Sequence, residues 1–114
     1  MKENKQAIVL KIYDLNKEVI PLLNSLPKSY KFSIGDRIQS HLLDLMELLI
    51  EAVYLPSKEK IPILKKVNLQ LEKLRFLFRL LADFKCISYK KHLYFVEKLN
   101  EIGRMTGGWI KSLR

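Results

Sequence analysis

Apolar residues recur along this chain at steps of three and four, the spacing that stacks side chains on one face of an α-helix. In the first segment, about residues 5–26, the positions are Ile8, Ile12, Leu15, Val19, Leu22 and Leu26. Pro21 falls inside that pattern, and because it lacks a backbone N–H it should kink the helix or end its regular part. Pro27 marks the exit, and residues 28–32 read as a loop. Ser33 then suits a second helix as its cap, with Asp36 three residues on to complete a capping box at the positive end of the dipole.

This second helix carries two stripes. Ile38, Leu42, Leu45, Leu49 and Ala52 form one, and Leu43, Met46, Ile50 and Val53 the other. A helix apolar on two sides needs two partners, its own bundle and a neighbouring subunit. Tyr54, Leu55 and Pro56 end it, and Ser57 is placed to cap a third helix, with Glu59 in its first turn. Pro62 fits there if that first turn is still irregular. Leu64, Val67, Leu71, Leu74, Phe78 and Leu81 follow heptad-like spacing, and Leu69, Phe76 and Leu80 widen the arc. After a connection at residues 84–87, Ser88 caps a fourth helix that reaches about Lys111. Its inward face reads as Leu93, Val96, Leu99, Ile102, Met105 and Trp109. Gly103, in its interior, points to close approach of a neighbouring helix, since glycine there otherwise costs about 1 kcal/mol.

Four amphipathic helices, short loops and no strand pattern predict an all-α protein, an antiparallel four-helix bundle. The 114 residues fit one domain, spanning residues 1–114. No stretch of 18 residues is apolar and uncharged, so no membrane-spanning helix is expected. With a single cysteine, Cys86, there is no internal disulfide, and with no visible signal peptide the expected compartment is a reducing cytoplasm.

Charge adds the first functional clue. The net charge of +9 attracts polyanions such as nucleic acid or an anionic surface. It is unevenly spread. Residues 33–54 hold one arginine and four acids. Residues 57–83 carry Lys58, Lys60, Lys65, Lys66, Lys73, Arg75 and Arg79 against Glu59, Glu72 and Asp83. Residues 84–114 carry Lys85, Lys90, Lys91, Lys98, Arg104, Lys111 and Arg114 against Glu97 and Glu101. The second half of the chain is therefore the expected polyanion-facing surface. Arg75 and Arg79, one turn apart, can present two guanidinium groups together, a geometry suited to phosphate.

Candidate chemistry is sparse. His41 and His92 lack the spacing of a metal helix. Asp44, Glu47 and Glu51 share a face but have no Glu-x-x-His partner, so no metal or other cofactor is expected. Nothing marks Cys86 as an activated thiol. Tyr54, Phe76, Phe78, Phe84, Phe95 and Trp109 sit at core spacing rather than as a base-stacking platform. The expectation is a protein that is not an enzyme.

Three blocks of sequence add a family resemblance. Phe32-Ser33-Ile34-Gly35-Asp36-Arg37-Ile38 with the following Leu42–Ala52 stretch, then residues 69–80, then residues 102–113, resemble the accessory variability determinant proteins of diversity-generating retroelements. The resemblance covers nearly the whole chain and rests on blocks in order, none of them catalytic. Pro62, flanked by Ile61 and Ile63, is a departure. The resemblance implies a homopentameric barrel with a basic surface that binds the retroelement's reverse transcriptase and its template RNA, or an RNA–DNA hybrid. It implies support for error-prone, adenine-directed complementary-DNA synthesis, the chemistry belonging to the polymerase. The residues expected to meet RNA or polymerase are Lys65, Lys66, Lys73, Arg75, Arg79, Lys90, Lys91 and Arg104. An alternative is the related four-helix protein of ribosomal RNA intervening sequences, RNA-binding or structural and without a polymerase partner.

Overall fold

The computed structural model describes residues 2–114, with side chains described from residue 7 onward. Four long helices form the molecule: α1 (Lys2–Asn24), α2 (Asp36–Tyr54), α3 (Ser57–Asp83) and α4 (Tyr89–Ser112). No strand occurs among the described residues. Short connections force each helix back along its predecessor. Side-chain pairs fix the directions: Lys11 meets Glu101 and Glu18 meets Tyr94 across α1 and α4, while Arg75 meets Asn100 and Phe78 meets Phe95 across α3 and α4. As one number rises the other falls, so both pairs of helices are antiparallel. The bundle measures 43 × 23 × 20 Å, its long axis set by the 27-residue α3.

The core follows the apolar stripes closely. Ile8, Ile12, Leu15 and Val19 of α1, the Ile38–Ala52 stripe of α2 and the heptad-like series of α3 are all buried. Three readings shift. In α1 the stripe continues through Leu23 rather than Leu22, which is only partly covered. In α4, Leu93 is 49% exposed, and the inward series is Phe95, Leu99, Ile102, Thr106, Trp109 and Ile110. Tyr54, Phe76 and Phe84 lie outside the core, whereas Phe78, Phe95 and Trp109 lie within it.

The predicted loop at residues 28–32 is helical. A turn at Lys28–Tyr30 runs into a π-helical turn at Lys31–Gly35 and on into α2. The Pro27 carbonyl accepts the amides of Tyr30 and Lys31, so Pro27 opens the helix from a position where its missing N–H costs nothing. Ser33 is therefore not a cap: its hydroxyl donates to the Ser29 carbonyl at 2.7 Å, inside the helical run. The wider turn adds a residue to the repeat, which erases the 3.6-residue apolar period over this stretch. Gly35 is its last residue, where an added Cβ would come within 3.3 Å of the Tyr30 carbonyl oxygen.

One further cap differs and one holds. Pro56, not Ser57, precedes α3, and Ser57 is its first helical residue; Pro62 consequently lies within the helix rather than in an irregular first turn. Ser88 caps α4 as expected, its Oγ accepting the Lys91 amide at 3.0 Å. Pro21 is accommodated within α1, which continues to Asn24.

Among the described residues three polar side chains, Asn16, Lys60 and Thr106, lie inside the bundle without any sign in the apolar pattern; the Thr106 hydroxyl donates to the Ile102 carbonyl of its own helix. Asn16, 5% exposed, donates from Nδ2 to the carbonyls of Ile12 and Leu42 and ties α1 to α2. Lys60, also 5% exposed, donates to the Ala52 and Val53 carbonyls at 2.6 and 3.1 Å and lies over the Trp109 ring. Those carbonyls belong to the last turn of α2, where a cation complements the negative end of the helix dipole. Lys60 thus joins three helices at one pole and is withdrawn from the basic surface.

Candidate nucleic-acid and partner interface

The residues expected to bind RNA or polymerase divide into two groups. The arginines are engaged within the protein. Arg75, half-buried, donates from Nε to Asn100 Oδ1 at 2.8 Å and from Nη1 to Glu72 at 3.0 Å. Its guanidinium lies across Gly103, where a Cβ would sit 3.2 Å from Nη2; the glycine lets α3 and α4 approach here, as its place in the sequence suggests. Arg104 pairs with Glu97 at 3.0 Å and Arg79 with Asp83 at 4.0 Å. Both pairs are solvent-exposed, so each contributes at most about 1 kcal/mol and can be exchanged for a phosphate at little cost.

The lysines are different. Among the described residues, no carboxylate lies within 4.0 Å of Lys65, Lys66, Lys73, Lys90 or Lys91. All five are exposed. Lys65 and Lys73 project from the side of α3 opposite its buried stripe, with Lys66 at its edge, interleaved with exposed Leu69, Phe76 and Leu80. The ammonium of Lys91 lies over the rings of Tyr94 and Phe95.

Between α3 and α4 runs an open groove of about 570 Å³, lined by Asn68, Glu72, Arg75, Asn100, Gly103 and Arg104. It offers guanidinium and amide donors to a ligand. A smaller recess holds Asp44, Glu47 and Glu51 of α2 beside Lys66 and Gln70 of α3. The two surfaces have opposite character, acidic on α2 and basic on α3 and α4.

Groups of catalytic type are dispersed. The thiol of Cys86 faces the Phe84 carbonyl at 4.0 Å, and His92 packs edge-on against Tyr89. Glu18 accepts the Tyr94 hydroxyl at 2.7 Å, and this hydrogen bond pushes the phenol above its ordinary value. No described helix is long and apolar enough to cross a membrane.

Gly107 and Gly108 sit in α4 with nothing within 4 Å of an added Cβ and no positive φ. Neither is required by the packing of one chain. Gly107→Ala and Gly108→Ala are each expected to raise stability by about 0.5–1 kcal/mol through helix propensity alone, read as a higher thermal midpoint.

Counting charges by segment places the basic surface in the second half of the chain. That count passes over Lys28 and Lys31, which the antiparallel topology brings to the same end of the bundle as Lys85 and Lys90. Their aromatic neighbours are the available signal.

Neither a comparison with curated proteins nor one with solved structures returns a match. A family model does match: the one described as bAvd-like, over residues 6–113. That span takes in most of α1, all of α2, α3 and α4, the exposed lysines and the groove between α3 and α4, and the chain belongs to the bAvd-like family.

Proposed function

We propose that this protein is a non-catalytic accessory subunit of a diversity-generating retroelement, binding the element's reverse transcriptase and template RNA during mutagenic complementary-DNA synthesis. Family membership over residues 6–113 supports the reading. The observation that carries it further is the set of exposed lysines with no carboxylate partner, which leaves much of the +9 charge available to a polyanion. Self-assembly, as a pentameric barrel, belongs to the same proposal. It is supported by the apolar residues left uncovered on the outer sides of α2 and α3, among them Tyr54 at 84% and Phe76 at 59% exposure.

Charge of this kind positions a nucleic acid through its phosphates and gives salt-dependent affinity with little sequence preference. The test is co-expression with a reverse transcriptase encoded beside this gene, followed by capture at moderate salt. Retention of the polymerase together with template RNA is the expected result. The triple variant Lys65→Glu/Lys66→Glu/Lys73→Glu should lower RNA affinity and make its salt dependence shallower by about 0.7–0.9 of a slope unit for each phosphate no longer neutralised. Failure to retain any polymerase, with RNA binding intact, would favour the intervening-sequence type of four-helix protein instead.

A further inference from the structure

At one end of the bundle two segments meet that are far apart in the sequence. Residues 27–35 enter α2, and residues 84–92 connect α3 to α4 and form the first turn of α4. The rings of Tyr30 and Phe84 stack across them, centroids 5.3 Å apart. Together these 18 residues contain five lysines (Lys28, Lys31, Lys85, Lys90 and Lys91), four aromatic residues (Tyr30, Phe32, Phe84 and Tyr89) and no carboxylate.

The aromatic residues here are unlike those of the core. Phe32 is 62% exposed, Tyr89 71% and Phe84 49%. A phenylalanine exposed to this extent gains little from folding. Three such rings set among unneutralised lysines need a partner that supplies both flat apolar faces and negative charge. A protein surface matching the rings would leave the lysines uncompensated. Unpaired nucleotides supply both: bases stack on aromatic faces while phosphates meet the ammonium groups. A duplex does not, because its base faces are already stacked on each other.

The backbone adds an independent observation. Lys85 is the one non-glycine residue with positive φ, at 62°, among the described residues. It closes the end of α3, its amide donating to the Ala82 carbonyl and that of Cys86 to the Leu81 carbonyl. Glycine is the usual residue in this left-handed position because a Cβ is strained there. A lysine at this position keeps a positive charge at the tip of the pole at the expense of backbone fit.

We infer that this pole is a docking site for single-stranded nucleic acid, with Phe32, Phe84 and Tyr89 stacking unpaired bases and Lys28, Lys31, Lys85 and Lys90 holding the phosphates. The inference rests on the RNA-binding reading above and adds to it a location and a preference for unpaired over paired strands. It assigns Phe84 to the surface and gives Lys28 and Lys31 a role alongside the second half of the chain.

The test uses the full-length protein and fluorescently labelled 20-nucleotide oligouridylate, with a 20-base-pair RNA duplex as comparison, both read by anisotropy. The wild-type protein should bind the single strand more tightly. Phe32→Ala/Tyr89→Ala should weaken single-strand binding by about tenfold, within the range for losing one or two stacked bases, and leave duplex binding unchanged. Lys85→Gly should lower single-strand affinity while raising the thermal midpoint, a combination that misfolding cannot produce. Equal losses for both nucleic acids, or none for either, would overturn the stacking site while leaving the RNA-binding reading standing. Failure of the wild-type protein to bind either probe would remove both.

Discussion

Truncation of Phe78 to alanine is expected to destabilise the fold by about 3–5 kcal/mol, the cost of deleting a large buried ring whose surroundings cannot fully close. Phe78 is fully buried and packs at 5.1 Å on Phe95, so its loss removes both its own burial and the ring pair that joins α3 to α4. Against a total of about 5–15 kcal/mol for a domain, that loss leaves little or no folded protein at moderate temperature. Urea denaturation at dilute protein measures it. Phe76 provides the comparison: two residues earlier on the same helix, it faces outward, and Phe76→Ala should change the stability of the single chain by no more than about 0.5 kcal/mol. A larger loss for Phe76→Ala than for Phe78→Ala would reverse the assignment of inner and outer faces of α3. It would also leave the uncovered ridge without its proposed role in assembly.

Replacement of Lys60 by methionine is the second large expected effect. Methionine keeps most of the aliphatic stem but removes the ammonium that serves the Ala52 and Val53 carbonyls. Buried carbonyls left without a donor cost about 1–3 kcal/mol, and hydrogen bonds from a charged group contribute about 1.5–3 kcal/mol. A loss of about 2–3 kcal/mol is therefore expected, seen as a lower urea midpoint with an unchanged denaturant slope. Lys65→Met is the control. Lys65 is exposed, and its removal should shift stability by no more than about 0.5 kcal/mol. The two variants also separate roles: Lys65→Met should weaken RNA binding, whereas Lys60→Met should act on the fold. Equal stability losses in the two would show that Lys60 is not the tie between α2, α3 and α4.

These two residues also show how far a sequence can be read. Phe78 is legible because it belongs to a series, Leu64 to Leu81, whose spacing repeats often enough to fix a direction around the helix. Lys60 reads as surface charge because nothing in its local pattern distinguishes it from Lys58 or Lys65. Its burial depends on where α2 ends and on Trp109, 49 residues away. Leu93 misleads for the opposite reason. It lies at the start of α4, where the stripe is short, and its apolar character alone suggests an inward position. Phe95 two residues later meets Phe78 and takes the core position instead.

The site divides in the same way. The excess of basic over acidic residues, and its concentration after residue 57, are properties of composition and need no coordinates. Which of those charges remain available is decided by geometry. Arg75 is engaged by Asn100 once α3 and α4 are side by side, and by Glu72 of its own helix, whereas no carboxylate among the described residues lies within 4.0 Å of Lys65, Lys66 or Lys73.

Four helices, their approximate extents, most of the buried face of each and a strongly basic surface can all be read from the order of residues. Those properties follow from local rules, namely the 3.6-residue period, capping chemistry and the sum of charges, which act within a turn or two of chain. Folding in three dimensions settles what those rules leave open: the helical path from Pro27 into α2, the burial of Lys60 and Asn16, the tie from Arg75 to Asn100, and the meeting of Tyr30 with Phe84. Each of these depends on residues brought together from distant parts of the chain, or on a π-helical turn that erases the local period, and neither leaves a repeat for a sequence reading to follow.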